Sequence, residues 1–423
     1  MAVPLSSLPA LSSLSDSTVP LLLEGYAWLP DRRRRNGGAP VRTRLLGKPA
    51  IALHGTDAVR FFYDEGHVHR RDALPGPVLD TLFGRGAVHT LDGERHRVRK
   101  ALFVHLLKDR EGIADLTERA KAEWERSRAD WAGRSHVVLF DAFALLLTRT
   151  VCGWAGIALD DEEARETAAD LVAMVDGFAT PGPRHWRARR ARRRQEERLA
   201  RRIEDLRRAG PGHTEPGPPT GTALTEVARH HEADGAPLDP HTAAVEILNV
   251  IRPTVAVAWF LTFAAHALHR WPEHRAPLAK GDTAYARGFA HEVRRFYPFV
   301  PFLGGLAARD LEWQGERIGA GTMVLLDVYG QNHDPALWPR PYTFDPTRFT
   351  DAEPGRDDLI PQGGGEVSSG HRCPGEDIVL ALLQTLVPLL ARLEYRVPQQ
   401  DLTVPLHRVP STVGGGFIVT DVH

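Results

Sequence analysis

One of the two cysteines of this 423-residue chain lies in a glycine-rich loop, GGGEVSSGHRCPGE, at residues 363–376. Glycines let backbone approach a flat macrocycle and let N–H groups point at a sulfur atom, which tunes the reduction potential of a ligated iron. An apolar helical run, residues 378–390, follows the loop. A lone thiolate on heme iron favours cleavage of the O–O bond. The pattern therefore predicts a heme-thiolate site at Cys373.

Three other roles for Cys373 compete with the heme site. A free cysteine is commonly a small buried hydrophobe. A zinc site is disfavoured because the sequence has no C-x-x-C pair and Cys152 lies in an apolar run. Thiol nucleophilic catalysis would need a partner histidine, and His371 serves only if the loop turns it back.

Arg252 is chemically unusual because it lies within a predicted apolar helix, residues 241–269. A buried guanidinium without an anion is strongly disfavoured, so a partner is expected. The partner is either Glu246, which is six residues earlier and poorly placed on that helix face, or a bound carboxylate, which arginine pairs in bidentate fashion. Pro253 removes a helix hydrogen bond and is expected to kink the helix and open room beside it.

The elements that must position these residues are mainly helical. Apolar content of 42% supplies one core, and the absence of a clear linker favours a single domain over residues 1–423. The longest loop, residues 209–221, is predicted to connect helices at the surface. Hydrophobic spacing predicts helices at 55–63, 96–107, 113–131, 141–154, 161–174, 241–269 and 284–296 and strands at 41–45, 311–318, 323–329, 393–397 and 416–419.

Residues 184–208 are rich in arginine, with Leu199, Ile203 and Leu206 at helical spacing. This segment could be an anion-binding arm or a solvated amphipathic helix whose charge is balanced by its own acidic residues. The helical spacing favours the second reading.

The composition predicts a soluble, cytoplasmic protein. A net charge of -1 gives no general attraction to nucleic acid or anionic membranes, and two cysteines fit a reducing compartment. Residues 1–8 lack the basic and apolar segments of a signal peptide. The most apolar stretch, residues 254–268, is shorter than the ~20 residues of a membrane span, so no span is expected.

Three motifs occur in a characteristic order. Glu292 and Arg295 are three residues apart on one predicted helix, Arg348 follows in the sequence PTRF at 346–349, and the Cys373 loop comes last. Together they resemble the Glu-Arg-Arg core and cysteine loop of the cytochrome P-450 (heme-thiolate) family. The resemblance implies the cytochrome P-450 fold, mainly α with small β-sheets, and heme b as cofactor.

Two departures from the usual family pattern are informative. Glu366 occupies the position seven residues before the cysteine where phenylalanine is usual, and the central helix reads RPTVA at 252–256, without the acid–alcohol pair that relays protons. These features resemble the bacterial fatty-acid peroxygenase branch. The likeness extends along the chain through LEGY at 23–26, GAVHTLDGE at 86–94 and EVRRFYPF at 292–299.

This resemblance implies oxidation of long-chain fatty acids by hydrogen peroxide at the α or β carbon, giving hydroxy acids or, after loss of carbon dioxide, terminal alkenes. Arg252 would hold the substrate carboxylate, which would act as acid–base, with Pro253 and His89 beside it. His89 is alternatively a packing residue. No redox partner is then expected. The competing functions are a reductase-dependent heme monooxygenase and a non-catalytic heme-thiolate fatty-acid binder or sensor.

The resemblance also assigns residues around the heme. The propionates are expected to contact Arg70, His96, Lys100 and His371, with Arg71 as an alternative to Arg70. The acyl channel is expected to be lined by apolar side chains, each of which could instead be ordinary core: Phe83, Val175, Phe178, Phe299 and Phe302.

Overall fold

The computed structural model describes residues 15–178, 180–209 and 221–423. Most of the predicted loop at 209–221 and the segment for which no signal peptide is expected lie outside these residues. The helices are α1 Thr18–Glu24, α2 Trp28–Arg35, α3 Thr56–Tyr63, α4 Gly76–Val78, α5 Gly93–Lys108, α6 Arg110–Ala132, α7 Leu139–Trp154, α8 Asp161–Asp176, α9 Pro183–Ala209, α10 Ala223–Arg229, α11 Pro240–Val255, α12 Val257–Arg270, α13 Arg275–Ala279, α14 Thr283–Phe296, α15 Val328–Asn332 and α16 Glu376–Arg392.

The strands form three small sheets. They are β1 Val41–Leu45, β2 Lys48–Leu53, β3 Val68–His69, β4 Val137–Val138, β5 Phe302–Ala307, β6 Leu311–Trp313, β7 Glu316–Ile318, β8 Met323–Asp327 and β9 Ile418–Val419. One five-stranded sheet has the order β1-β2-β8-β5-β3, in which only β2 and β8 are parallel. The pairs β4–β9 and β6–β7 are antiparallel. The predicted fold class, mainly α with small sheets, is confirmed.

Local sequence explains where the helices that carry the site begin. The Asp239 side chain accepts a hydrogen bond from the Thr242 N–H at the start of α11, and Pro240 occupies the first turn, where its missing N–H costs nothing. Asp282 caps α14 in the same way through the Tyr285 N–H. These caps fix the ends of the two helices that carry the candidate arginines.

The central helix is interrupted where the proline predicts a disturbance. α11 ends at Val255 and α12 begins at Val257, with Ala256 between them, three residues after Pro253. The apolar stretch 254–268 is part of a longer helical run, 240–270, which is long and apolar enough to cross a membrane by length and composition. However, 94% of its apolar window is buried inside the fold, as expected for a core helix.

Three further predictions need correction. The predicted strand 311–318 is the hairpin β6–β7. The hairpin turns at Gln314 and Gly315, whose φ angles are +51° and +80°. Strand pairing in 393–397 is limited to a bridge between Arg396 and Thr420. The arginine-rich helix α9 is amphipathic as predicted, but its inner face buries Arg192 at 2% exposure, so that face is not wholly apolar.

Candidate active site

The glycines of the Cys373 loop are required by close packing against α3. A Cβ atom on Gly363 would lie 2.3 Å from the Tyr63 hydroxyl, and one on Gly364 would lie 2.3 Å from a Val59 methyl. Gly363 also has a φ of +92°, which favours glycine. The loop therefore keeps its shape because backbone, rather than side chains, faces α3.

Cys373 is held by main-chain contacts inside this loop. Its N–H donates to the Gln362 carbonyl at 3.2 Å, and its sulfur is in van der Waals range of the Cβ position of Gly375, at 3.8 Å. Burial raises the pKa of the Cys373 thiol, while a hydrogen bond from the Gly375 N–H and the charge of Lys100 lower that pKa. These are the contacts that stabilise a thiolate.

Glu292, Arg295 and Arg348 lie together as the motif order predicts. Both carboxylate oxygens of Glu292 accept from Arg295, from Nε and from Nη2, each at 2.7 Å. The remaining Arg295 nitrogen donates to the carbonyls of Asn332 and Pro341, both at 2.9 Å. Arg348 Nε lies 3.7 Å from Glu292, which is an ion-pair distance. The cluster ties α14 to the segment that leads into the Cys373 loop.

The four groups expected at the propionates lie near the loop and include unpaired donors. The rings of His96 and His371 stack with centroids 3.8 Å apart. His96 Nδ1 lies 3.7 Å from Glu65 and His371 Nε2 lies 3.6 Å from Asp92, both beyond hydrogen-bond distance, and Arg70 Nη1 is buried without a hydrogen-bond partner. Lys100 Nζ donates to the Arg372 carbonyl. Arg70 is 8% exposed, whereas the Arg71 side chain lies at the surface, which favours Arg70 over its neighbour.

Burial dominates the electrostatics of these groups. It lowers the pKa of His96 to about 3, that of His371 to about 4 and that of Lys100 to about 8. Unpaired buried donors of this kind are rare unless a ligand satisfies them. Two carboxylates at the edge of a macrocycle would provide those acceptors, so the donor set fits the propionates of heme b, with Cys373 as the iron ligand.

Arg252 has no carboxylate partner among the residues that the structure describes. It is 6% exposed, Nη2 donates to Asn249 Oδ1 at 3.2 Å, and Nε has no acceptor. Burial and, after it, the charge of Arg192 lower the pKa of Arg252 to about 9, against the opposing influence of Cys373. A buried guanidinium with free donor capacity is an anion site.

Glu246 is not the counterion of Arg252, so that alternative is wrong. Its carboxylate accepts from Arg99 at 2.5 Å, from the Val88 N–H at 2.8 Å and from Asn249 at 3.2 Å. Glu246 thus neutralises Arg99, which also pairs with Glu232. No sequence pattern indicated this role for Arg99 and Asn249, because their partners are far away in the chain or hidden in a helical pattern.

Phe83 and His89 lie beside Arg252. The rings of Phe83 and His89 are 4.5 Å apart, and the Arg252 guanidinium lies 5.7 Å from the Phe83 ring. Burial and then the charge of Arg252 hold the pKa of His89 well below its ordinary value, so the imidazole is neutral near pH 7. His89 Nδ1 is buried and has no hydrogen-bond partner.

Two buried side chains that sequence reasoning missed hold Phe83 in place. The Phe83 carbonyl accepts from Arg192 of α9 at 2.9 Å and from Asn249 of α11 at 3.0 Å. Arg192 also donates to the Leu82 carbonyl at 2.7 Å. An arginine in a charge-rich helix looks solvated from sequence alone, and only the fold reveals that this one points inward.

The predicted channel residues divide between two hydrophobic clusters. Val175 belongs to the large helical core, and Phe83, Phe178 and Phe299 pack against that core. Phe302 instead packs with Trp28 in a separate cluster formed by α2 and the five-stranded sheet, with ring centroids 6.2 Å apart. The structure therefore groups Phe302 apart from the other four.

Known proteins share both the motifs and the fold. The profile of the Cytochrome P450 family matches residues 281–412. Solved structures of cytochrome P450SP alpha superimpose with a TM-score of 0.92 at 40% identity, over 96% of this chain and 99% of theirs. Cytochrome P450EX alpha, solved with myristic acid, matches with a TM-score of 0.91 at 35% identity, over 96% of this chain and 97% of its own.

A more distant relative covers less of the chain. Cyclooctat-9-en-7-ol 5-monooxygenase of Streptomyces melanosporofaciens is 28% identical over 303 residues, which are 64% of this chain. The match spans 62% of that protein's length.

Proposed function

The chain belongs to the cytochrome P450 family, in the fatty-acid peroxygenase branch that its sequence resembles, and from this membership we propose that it oxidises long-chain fatty acids with hydrogen peroxide. The carbons attacked are those nearest the carboxylate. Hydroxylation converts one C–H bond and one peroxide molecule into a C–OH group and one water. Decarboxylation converts the acid and one peroxide molecule into a terminal alkene, carbon dioxide and two waters.

The observation that carries this proposal is the unpaired charge of Arg252. A fatty-acid carboxylate would supply the acceptor that the guanidinium lacks, and charge-assisted hydrogen bonds to a buried arginine are the strong ones. Cytochrome P450EX alpha, which is similar over nearly the whole chain, was solved with such an acid, myristic acid. Arg252 would therefore both bind the substrate and fix which carbons lie nearest the reaction centre.

The bound carboxylate is also the best available acid–base group. His89 is neutral because its pKa is strongly lowered, and Glu246 is occupied by Arg99. Neither can readily deliver a proton beside Arg252. A substrate carboxylate at that position can accept a proton from peroxide and return it to the departing oxygen. Pro253 lies inside α11 and would assist by disturbing the central helix, which breaks at Ala256, four residues after Arg252.

Cys373 and the donors of Arg70, His96, Lys100 and His371 would hold heme b, which would supply the redox chemistry of O–O bond cleavage. The protein supplies orientation. Phe83, Val175, Phe178 and Phe299 are proposed to contact the acyl chain, whose burial contributes ~0.8 kcal/mol per CH₂ group. Phe302 remains a proposal for the same role, although it lies in the other hydrophobic cluster.

Product analysis with purified holoprotein, hydrogen peroxide and medium- to long-chain fatty acids, without a reductase, tests the proposal. Hydroxy acids or terminal alkenes are expected from the free acid. The methyl ester of the same chain length serves as the control, and it should be nearly inert because it cannot act as acid–base. Equal turnover of ester and acid would exclude the carboxylate mechanism.

Two outcomes would support the competing functions. Turnover that requires a ferredoxin or flavoprotein and fails with peroxide would identify a conventional monooxygenase. A shift of the heme spectrum on adding the acid, without product under either condition, would identify a fatty-acid binder or sensor. We also propose that residues 1–423 form one domain and that the protein is cytoplasmic.

A further inference from the structure

Arg294 is a buried cation that contacts both flanks of the Cys373 loop. It is 1% exposed, and its neighbour Arg295 serves the separate pair with Glu292. Arg294 Nε donates to the Gln362 side chain at 2.9 Å, and Nη2 donates to Glu376. Gln362 precedes the glycines of the loop, and Glu376 is the first residue of α16, three positions after Cys373.

These contacts close a ring around the sulfur ligand. The Gln362 carbonyl accepts the Cys373 N–H at 3.2 Å, so the residue that Arg294 grips is the residue that holds the cysteine. Glu376 also accepts from Arg372 Nε at 2.9 Å, directly before Cys373. A single guanidinium on α14 thus connects the chain entering the loop with the chain leaving it.

We propose that the Arg294–Glu376 ion pair positions the Cys373 loop and sets the charge that acts on the thiolate, so that the pair tunes the reduction potential of the heme. The proposal depends on the heme-thiolate site but not on the peroxide reaction or on the fatty-acid substrate. Both residues act through Cys373 and are positioning residues.

The two charges should shift the potential in opposite directions. Reduction of the iron adds negative charge beside the thiolate, and a nearby cation favours this more negative state, whereas a nearby anion opposes it. Both side chains lie in a buried region where such interactions are screened little by water. Removing the positive charge of Arg294 should lower the potential, and removing the negative charge of Glu376 should raise it.

A purely structural role makes a different prediction. If the pair only braces the loop, then Arg294→Gln and Glu376→Gln each loosen the same loop and change the potential in the same direction or not at all. The double variant also separates the two cases. Electrostatic tuning predicts that the double variant returns toward the wild-type potential, because both charges are gone together.

The experiment is redox titration of purified, substrate-free holoprotein followed by the heme absorption band. Arg287→Gln is the matched control, because Arg287 lies on the same helix and pairs with the exposed Glu353 instead of the loop. We expect a lower potential for Arg294→Gln, a higher potential for Glu376→Gln and no change for the control. Arg294→Lys, which keeps the charge, should remain closer to wild type than Arg294→Gln.

The result does not depend on every variant folding. If Arg294→Gln fails to retain heme, the sign measured for Glu376→Gln decides, because loss of its charge must raise the potential. An unchanged or lowered potential in Glu376→Gln would overturn the proposal, as would shifts of the same sign in both single variants. Because no peroxide or fatty acid is present, failure here leaves the proposed reaction untouched.

Discussion

The buried arginines of α14 and the buried arginine of α11 differ in how many hydrogen-bond partners the fold provides for them. Arg295 uses every guanidinium nitrogen, on both oxygens of Glu292 and on carbonyls of the segment that leads into the Cys373 loop. Arg294 is likewise satisfied by Gln362, His291 and Glu376. Arg252 makes one hydrogen bond, to the neutral side chain of Asn249.

This difference distinguishes a charge that holds the fold together from a charge that binds a ligand. A buried ion pair with complete hydrogen bonding holds elements together, and removing one partner leaves the other uncompensated. A buried cation with free donors is held in place by the fold at a cost, and that cost is offset when an anion arrives.

The largest effect is expected at the satisfied pair. Among the residues that the structure describes, Glu292 is the only carboxylate that contacts both Arg295 and Arg348. Glu292→Gln leaves the buried Arg295 and the partly buried Arg348 unbalanced, which should destabilise the holoprotein by about 3 to 5 kcal/mol. Denaturant unfolding and heme content measure the loss. Glu353→Gln, which alters an exposed pair, is the control and should change the unfolding free energy by less than ~1 kcal/mol.

Retention of wild-type stability in Glu292→Gln would break the structural half of the comparison. It would mean that the surrounding carbonyls, from Asn332 and Pro341, are sufficient to hold Arg295.

The opposite behaviour is expected at Arg252. Arg252→Leu should lower peroxide-dependent turnover of a fatty acid by roughly 10²- to 10⁴-fold, the range for loss of a positioned acid–base group. Unfolding stability should be unchanged or slightly higher, because an uncompensated buried charge is removed. Turnover and unfolding curves are measured on the same preparation, with Arg193→Leu, an exposed arginine of α9 that pairs with Glu197, as the control for charge loss.

A strongly destabilised Arg252→Leu would contradict the binding role, since it would show that the fold needs this guanidinium. Activity close to wild type in a folded protein would remove Arg252 from the mechanism.

The same contrast explains what could be predicted from the sequence. All seven predicted helices lie in helical segments of the structure, although the one predicted at 241–269 is divided at Ala256 into α11 and α12. The Glu292–Arg295 pair follows from helical spacing alone. The strand prediction at 311–318 was wrong in detail because the turn of the hairpin, at Gln314 and Gly315, divides the segment LEWQGERI into two three-residue strands.

Contacts between residues far apart in the chain could not be predicted from the sequence. Arg192 reaches carbonyls more than a hundred residues earlier, and Arg99 pairs with Glu246 across two helices. Nothing in the local pattern distinguishes Arg192 from the solvated arginines around it. Arg252 could be identified because it interrupts an apolar helix, but only the structure shows that Glu246 is occupied and that Arg252 is left without a counterion.

An effect of intermediate size is expected when fatty-acid affinity is measured as a function of pH. Arg252 has a pKa of about 9 in the free protein, and a bound carboxylate raises that pKa because it stabilises the charged guanidinium. Affinity for a fatty acid should therefore be constant from about pH 7 to about pH 9. It should fall as pH rises through the free pKa, by at most tenfold per pH unit.

The stability effect of this group has the opposite sign. A depressed pKa means that the unfolded chain holds the proton more tightly, so the contribution of Arg252 to the free energy of unfolding increases above about pH 9. Spectral titration with a fatty acid measures affinity across this range. A flat profile through pH 10 would show that Arg252 stays charged and that the neighbouring Arg192 has little influence on it.

The smallest change in total turnover is expected for substitution of His89, which contributes shape rather than charge to the site. Because His89 is neutral, His89→Gln preserves the net charge and a hydrogen-bonding side chain next to Phe83 and Arg252. Total turnover should change by less than about tenfold, since no positioned charge is lost. The ratio of alkene to hydroxy acid should change, because the ring shape next to the carboxylate anchor changes, and mass spectrometry of the products measures that ratio. An unchanged ratio would restrict His89 to packing and leave Arg252 as the single distal determinant of where the substrate is attacked.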